Sequence, residues 1–298
     1  MHPTHPERGV TLIELVLTIV IVGIIVAVIA FFINPLRQGT DIAARAELTD
    51  IADNALQRMG RDVKLALPNS VRTTAAGTSK FVEFIAVKTA GRYRADGGGP
   101  AGGVNCDPDD TALAAPDNDQ LSFDLPAGDR CFKTLGKLPN AVAAGSDQLV
   151  LNNYGFPNQD AYQTAGTLNR VLISAVDTSE AGRDRISFAA TTFVRALHDS
   201  PGKRFFVISG PVTYECDLAG GRILRHDGYA LSAGQPTVFG GTPALVAEHV
   251  STCDFVYTPS VSAQLGLLTL RLQLQRQLFG GTAETVSLYH AVHVNNAP

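Results

Sequence analysis

The chain has 298 residues, with 24 Lys and Arg against 28 Asp and Glu, a net charge of −4, four Cys and no Trp. These proportions describe a mostly globular chain of one or two domains and exclude a disordered one. The slightly acidic balance, without clustered Lys and Arg, also argues against nucleic acid as a partner, because phosphate binding needs concentrated positive charge.

The first element is set by "RGVTLIELVLTIVIVGIIVAVIAFF", residues 8–32. Residues 15–33 carry no charge, close to the ~20 residues a helix needs to span a bilayer. A secretory signal peptide is the competing reading, but its apolar core is shorter and is followed by a small-x-small cleavage site, which "AVIAFFINP" lacks. Arg8, His2 and His5 favour a cytoplasmic N-terminus, a signal weakened by Arg37 on the far side. One residue is out of place. Glu14 sits at the start of the apolar run, where a carboxylate costs roughly 2.5–3.5 kcal/mol on insertion scales.

Residues 35–68 repeat apolar positions at Ile42, Ala46, Ile51, Ala52, Leu56, Met59, Val63 and Leu67, near a helical period, and predict an amphipathic helix ended by Pro68. Pro35 and Gly39 predict a kink or short break between this helix and the apolar one. From residue 69 the pattern changes to short alternating runs separated by Gly, Pro, Asn and Asp, the mark of antiparallel strands. In "LLTLRLQLQRQL", Leu268, Leu270, Leu272 and Leu274 share a buried face, opposite Thr269, Arg271, Gln273 and Gln275. "VTYECDLAGGRILRHDGYAL" reads as two strands about an Ala-Gly-Gly turn. "TVSLYHAVHV" places Val286, Leu288, His290, Val292 and Val294 on one face, and His290 reads as a hydrogen-bonded core or edge histidine. Residues 91–119, Gly-rich and then Asp-rich, read as an exposed loop. The fold class is therefore α+β: a long N-terminal helix on an antiparallel head spanning residues 69–298.

Cys106, Cys131, Cys216 and Cys253 form no C-x-x-C pair, so disulfides are the better reading, with sequential pairing the simplest of the three connectivities and buried free thiols the alternative. Asp107, Asp109, Asp110, Asp117 and Asp119 do not follow the D-x-D-x-D-G calcium loop, and a solvated acidic loop is preferred to a metal site. No G-x-S-x-G elbow, H-E-x-x-H helix or phosphate-binding loop occurs, and nothing assembles a nucleophile, a base and an oxyanion site. Neither an enzyme nor a cofactor is expected.

With these residues in view, "RGVTLIEL" resembles the class III signal of type IV prepilins and pseudopilins. The resemblance implies a leader of residues 1–9, cleavage between Gly9 and Val10 by a prepilin peptidase, and N-methylation of Val10 by the same enzyme. Thr11, Leu12, Ile13, Glu14 and Leu15 match the family's T-L-I-E-L, while Val10 stands where members usually carry Phe. It further implies a membrane and assembly helix over 10–34, an inner-membrane location with the head periplasmic, and partners among major and minor pilin subunits, the inner-membrane assembly platform and lipid. Cleavage creates an ammonium at the apolar end, and Glu14 of one subunit pairs with the Val10 ammonium of its neighbour. The alternative is a glutamate that snorkels or binds free N–H groups of its own first turn. "ALPNSVR", "LVAEHVSTCDFVY" and "SLYHAVHVNNAP" are similar in order to large minor pilins, most of all the O-type minor pilin-like subunits of mannose-sensitive haemagglutinin pili. That likeness implies a structural role in starting or capping a fibre. A minor pseudopilin of a type II secretion system and a pilus-tip adhesin remain the alternatives.

Overall fold

The computed structural model describes residues 9–93, 121, 123, 129–164, 169–193, 200, 202–259, 265–278 and 281–297, with backbone alone for 30–41. Helix α1, Leu12–Lys64, is 53 residues of unbroken helix, about 80 Å long. The break expected at Pro35 and Gly39 is absent from the helix assignment. Proline removes one N–H from the ladder, and the bonds on either side suffice to carry the helix across it. Its basic last turn, Arg61 and Lys64, suits the negative end of the helix dipole. The helix stops four residues before Pro68, because Leu67 N–H donates to Ile85 O at 2.8 Å and draws the chain into a sheet.

Only the second half of α1 meets the head. Leu48, Ala52, Ala55, Leu56, Met59 and Val63 are buried at three- and four-residue spacing, whereas Ile42 is 71% exposed and Ala46 is also exposed. The apolar period therefore starts before the surface that covers it.

The strands are β1 Arg72–Ala76, β2 Ser79–Arg92, β3 Asp129–Lys133, β4 Gln148–Val150, β5 Arg170–Asp177, β6 Arg185–Thr191, β7 Arg204–Asp217, β8 Arg222–His226, β9 Ala244–Ala247, β10 Val250–Pro259, β11 Leu265–Gln277 and β12 Ala283–Asn295. All described pairings are antiparallel. β10–β11–β12 form a three-stranded sheet, and the other nine form a second sheet in the order β1-β2-β7-β4-β5-β6-β3, with β8 and β9 extending from β7. In β11 the four expected leucines, Leu268 to Leu274 by twos, are each no more than 2% exposed. They pack with Val286, Val292 and Val294 of β12 against α1.

Two bulges, at Ser209 of β7 and Lys88 of β2, bend the β2–β7 pair, so its two halves serve different cores. The near half contributes Val82, Phe84, Val212 and Tyr214 to the core under α1. The far half contributes Tyr93, Phe205 and Val207 to a separate cluster with Phe132, Phe188, Ile173 and Ile186, which shares no residue with the helix. Tyr93 pairs with Thr134, and Leu135 N–H donates to Arg92 O at 2.7 Å, bringing β3 back to β2. Strands β2, β7, β4, β5, β6 and β3 thus close a small barrel with aromatic walls inside, Phe132 and Phe205 lying 5.1 Å apart centroid to centroid. This corrects the reading of 91–119 as loop from its first residue: Gly91 and Arg92 end β2 and Tyr93 is 1% exposed, while 94–119 lie outside the described residues.

Two ties fix the three-stranded sheet to the nine-stranded one. Cys216 of β7 and Cys253 of β10 form a disulfide, and Lys80 of β2 pairs with Asp254 of β10 at 2.9 Å. Cys131 is also disulfide-bonded, and its expected partner, Cys106, lies outside the described residues. The expected acidic loop, Asp107 to Asp119, lies outside them as well. At the helix–head junction Asn69 adopts φ 59° and donates from Nδ2 to Asn153 O and Asn296 O, at 2.8 and 3.1 Å. The segment after the helix, an inter-strand loop and the last residues of the chain are therefore joined at one point.

Candidate functional site

The helix begins where its capping chemistry allows. Thr11 is the N-cap, with extended φ and ψ of −76° and 149°. Its hydroxyl accepts from Glu14 N–H at 3.4 Å, its carbonyl accepts from the same N–H at 3.1 Å, and Leu15 N–H donates to that carbonyl at 3.2 Å. Thr11-Leu12-Ile13-Glu14 is the S/T-x-x-E capping-box sequence, and Val10 and Leu15 occupy the positions of a hydrophobic staple around it. Half of the box is made. The threonine serves the Glu14 amide, but the Glu14 carboxylate has no hydrogen-bond or ionic partner among the described residues. Sequence reading had recognised these letters as a motif without seeing that Thr11 starts the helix. Val10 precedes the cap and lies outside the helix.

The helix surface that follows is unsatisfied in the same way. From Leu12 to Ile29 the helix is long and apolar enough to cross a membrane, and none of that stretch is buried. Leu12 and Ile13 are 83% and 77% exposed. So large a contiguous apolar surface demands lipid or other helices around it. Gly9 and Val10, the expected cleavage pair, lie just outside the helix, and an added Cβ at Gly9 would meet nothing within 4 Å.

Residues 4–30 match the prokaryotic N-terminal methylation motif. The chain carries a prepilin-type N-terminus. This prepilin-type signal covers Gly9 to Leu15 and the apolar helix behind them, and it supports a type IV pilin-like or pseudopilin-like protein bearing a class III signal. The prepilin motif implies processing by a prepilin peptidase and assembly with other pilins, and it is consistent with single-pass anchoring in the inner membrane. No curated protein and no solved structure matches the chain. The head's pairing as a mostly antiparallel β domain behind an apolar helix is consistent with a pilin-like layout.

In the head, the only buried acidic cluster that resembles reactive machinery turns out to be a clamp among the described residues. Glu83 of β2 is fully buried and accepts from Arg72 Nε at 2.6 Å and Tyr229 Oη at 2.9 Å. Arg72 also donates to Ser232 O and Ala233 O, at 2.9 and 2.7 Å, and its guanidinium lies 3.6 Å from the Tyr162 ring centroid. Residues 227–243, which carry Tyr229, Leu231 and Phe239, are thereby strapped across the sheet face opposite α1. Burial pushes the Glu83 carboxyl above its ordinary value, with Arg72 and Tyr229 pulling it partly back. Burial raises the Tyr229 phenol as well. Tyr229 donates and Glu83 accepts, and the Tyr229 hydroxyl also bonds Thr213 Oγ1 at 2.6 Å, so each group is engaged within the clamp. A similar contact pins the helix: Tyr214 Oη donates to Asp62 of α1 at 2.7 Å and Arg225 Nε to the same oxygen at 3.2 Å.

His290, expected as a hydrogen-bonded core or edge residue, is half-buried with its ring against Gly60 of α1, and His293 lies on the opposite, exposed face. On the outer face of β10–β12 an open groove of about 690 Å³ is lined by Thr252, Asp254, Arg271, Gln273, Ser287 and Tyr289 among others. Tyr289 there is 68% exposed.

Proposed function

We propose that the chain is a minor pilin-like subunit of a type IV pilus of the mannose-sensitive haemagglutinin type, with a structural role in starting or capping the fibre. A peptidase cuts between Gly9 and Val10 and methylates the new Val10 amine. The mature helix sits in the inner membrane with the head periplasmic until the assembly platform moves it into the fibre. There the Glu14 carboxylate meets the Val10 ammonium of a neighbouring subunit, which relieves two desolvated charges at once. The observation that carries the reading is the prepilin motif on a helix whose apolar stretch Leu12–Ile29 is unburied and whose first-turn carboxylate, Glu14, lacks a partner among the described residues. The large head, with separate core clusters under α1, inside the barrel and beneath the strap, supports low copy number, since a body of this size is hard to tile at every position along a thin fibre. Intact mass and N-terminal sequence, with and without the peptidase, test the reading. A chain beginning at N-methylated Val10 only when the peptidase is present supports it, and a chain still beginning at Met1 refutes it.

A second reading, an adhesin at the pilus tip, is favoured by the outer groove, where Arg271 and Tyr289 lie side by side across β11 and β12 in open solvent. Binding of the purified protein to surface glycans that Arg271→Ala and Tyr289→Ala abolish would favour it. The type II secretion alternative is separated by whether deletion stops fibre formation or protein export.

A further inference from the structure

Among the described strand edges, one is both long and unguarded. β1 and β9 are edges of only five and four residues, and β3 is closed onto β2 through Tyr93 and Thr134. β10 is the edge tied by the disulfide and the Lys80 ion pair, and it ends in Pro259. β12 runs for 13 residues with no Lys, Pro or Gly, and pairs with β11 from Ala283 to Asn295 without a register shift. Its single carboxylate, Glu284, is occupied by Arg45 of α1 at 3.3 Å. On the side away from β11, no described group bonds the backbone of residues 283–294. Natural sheets blunt such edges with charge, proline, bulges or a covering element, because an open row of N–H and C=O groups templates another strand. Here none of the sequence devices is used.

The direction of β12 limits what can pair with it. Glu284 lies by Arg45, the His290 and Val292 side chains lie against Gly60, and Asn296 bonds Asn69. Strand and helix therefore climb together: residues 45 to 60 rise about 22 Å as helix and residues 284 to 290 about 20 Å as strand. Two copies anchored in one membrane hold their helices, and so their β12 strands, in the same direction. Antiparallel pairing of β12 with β12 is then excluded, and where subunits follow one another by a screw along the fibre axis rather than a two-fold, the edge meets a different surface of the neighbour. Such a heterologous contact propagates rather than closes.

We propose that the free edge of β12 is a sheet-extension surface that receives an extended strand of a neighbouring pilin-like subunit anchored in the same membrane. This rests on the filament-subunit reading above. The affinity comes from main-chain hydrogen bonds, so the partner strand needs no matching charge.

The test uses the full chain in cells and begins by confirming that wild-type protein starting at Val10 is present in sheared fibres. Its absence there overturns the filament reading itself. Ser287→Lys with Ala291→Lys places two charges on exposed edge positions, and Gln275→Lys places one on the central strand as control. The edge variant is expected to be cleaved normally, to keep its disulfides and thermal midpoint, and to fall at least tenfold in fibres while the control incorporates like wild type. Equal incorporation of edge variant and control overturns the proposal. Hydrogen exchange gives an independent readout: alternate β12 amides slow in the fibre relative to the detergent-dispersed protein, and unchanged exchange overturns it too.

Discussion

Gly60 lies at the closest approach of α1 to the sheet. A Cβ built there would stand 2.8 Å from His290 Nε2, 2.9 Å from its Cδ2 and 3.3 Å from Val292 Cγ2. Gly60→Ala therefore sets two effects against each other. Helix propensity favours alanine by about 0.8–1.0 kcal/mol. Overpacking costs roughly 1–3 kcal/mol, about 2 here because the half-buried His290 ring can turn while Val292 beside it is fully buried. The expected net is a loss of about 1 kcal/mol. In a His290→Ala background the obstruction is gone, and the same change should gain about 1 kcal/mol, giving a coupling of about 2 kcal/mol between the two sites. Denaturant unfolding of the four proteins in detergent, followed by far-UV circular dichroism because the chain has no Trp, measures this. A stabilising Gly60→Ala in the wild-type background, or equal effects in both, would refute the packing argument.

Three further outcomes are expected. Glu14→Ala should be cleaved and methylated normally yet appear in fibres at least tenfold less than wild type, measured by immunoblot of sheared fractions; normal incorporation contradicts neighbour pairing. Replacing both Cys216 and Cys253 by Ser, 37 positions apart, should cost about 4 kcal/mol, read by chemical denaturation under oxidising conditions, and an unchanged midpoint speaks against a stabilising tie. Glu83 is held above its ordinary carboxyl value, so between that value and the raised one the folded state binds more protons than the unfolded one. Its contribution to stability accordingly falls as pH rises through that window. Glu83→Gln should flatten the corresponding slope in a plot of thermal midpoint against pH, whatever it does to the midpoint itself, and parallel curves for the two proteins would dismiss the clamp's titration.

The parts legible in sequence were those fixed by local pattern. The T-L-I-E-L letters, the apolar run and the alternating leucines of β11 each depend on neighbours a few positions away, and the structure shows the helix and the one-sided strand they describe. What was hidden depends on distance along the chain. Glu83 is an unremarked letter until Arg72, 11 positions off, and Tyr229, 146 positions off, converge on it. The barrel is closed by a single pairing, Tyr93 with Thr134, and β4 is three residues long, too short to show alternation. Ile42 and Ala46 carry the right period and remain exposed, because periodicity says which face is apolar but not where its cover begins. Of the kink or short break expected at Pro35 and Gly39, the break does not occur for a related reason: the penalty is local, and a helix of 53 residues can absorb it.

The barrel enters and leaves the head through adjoining strands, with Arg92 and Arg204 facing each other across the last rung of β2 and β7. Everything between them, residues 93–203, is thus a cassette plugged into an otherwise continuous hairpin. It is nevertheless anchored to the helix–head junction, since Asn153 bonds Asn69 and Pro68 and Tyr162 bonds Ser70. An exchange of that cassette for another whose ends are one strand apart would vary one lobe of the head while the pairing of β2 with β7 near α1 stays in place, provided the new segment supplies the junction contacts that Asn153 and Tyr162 make.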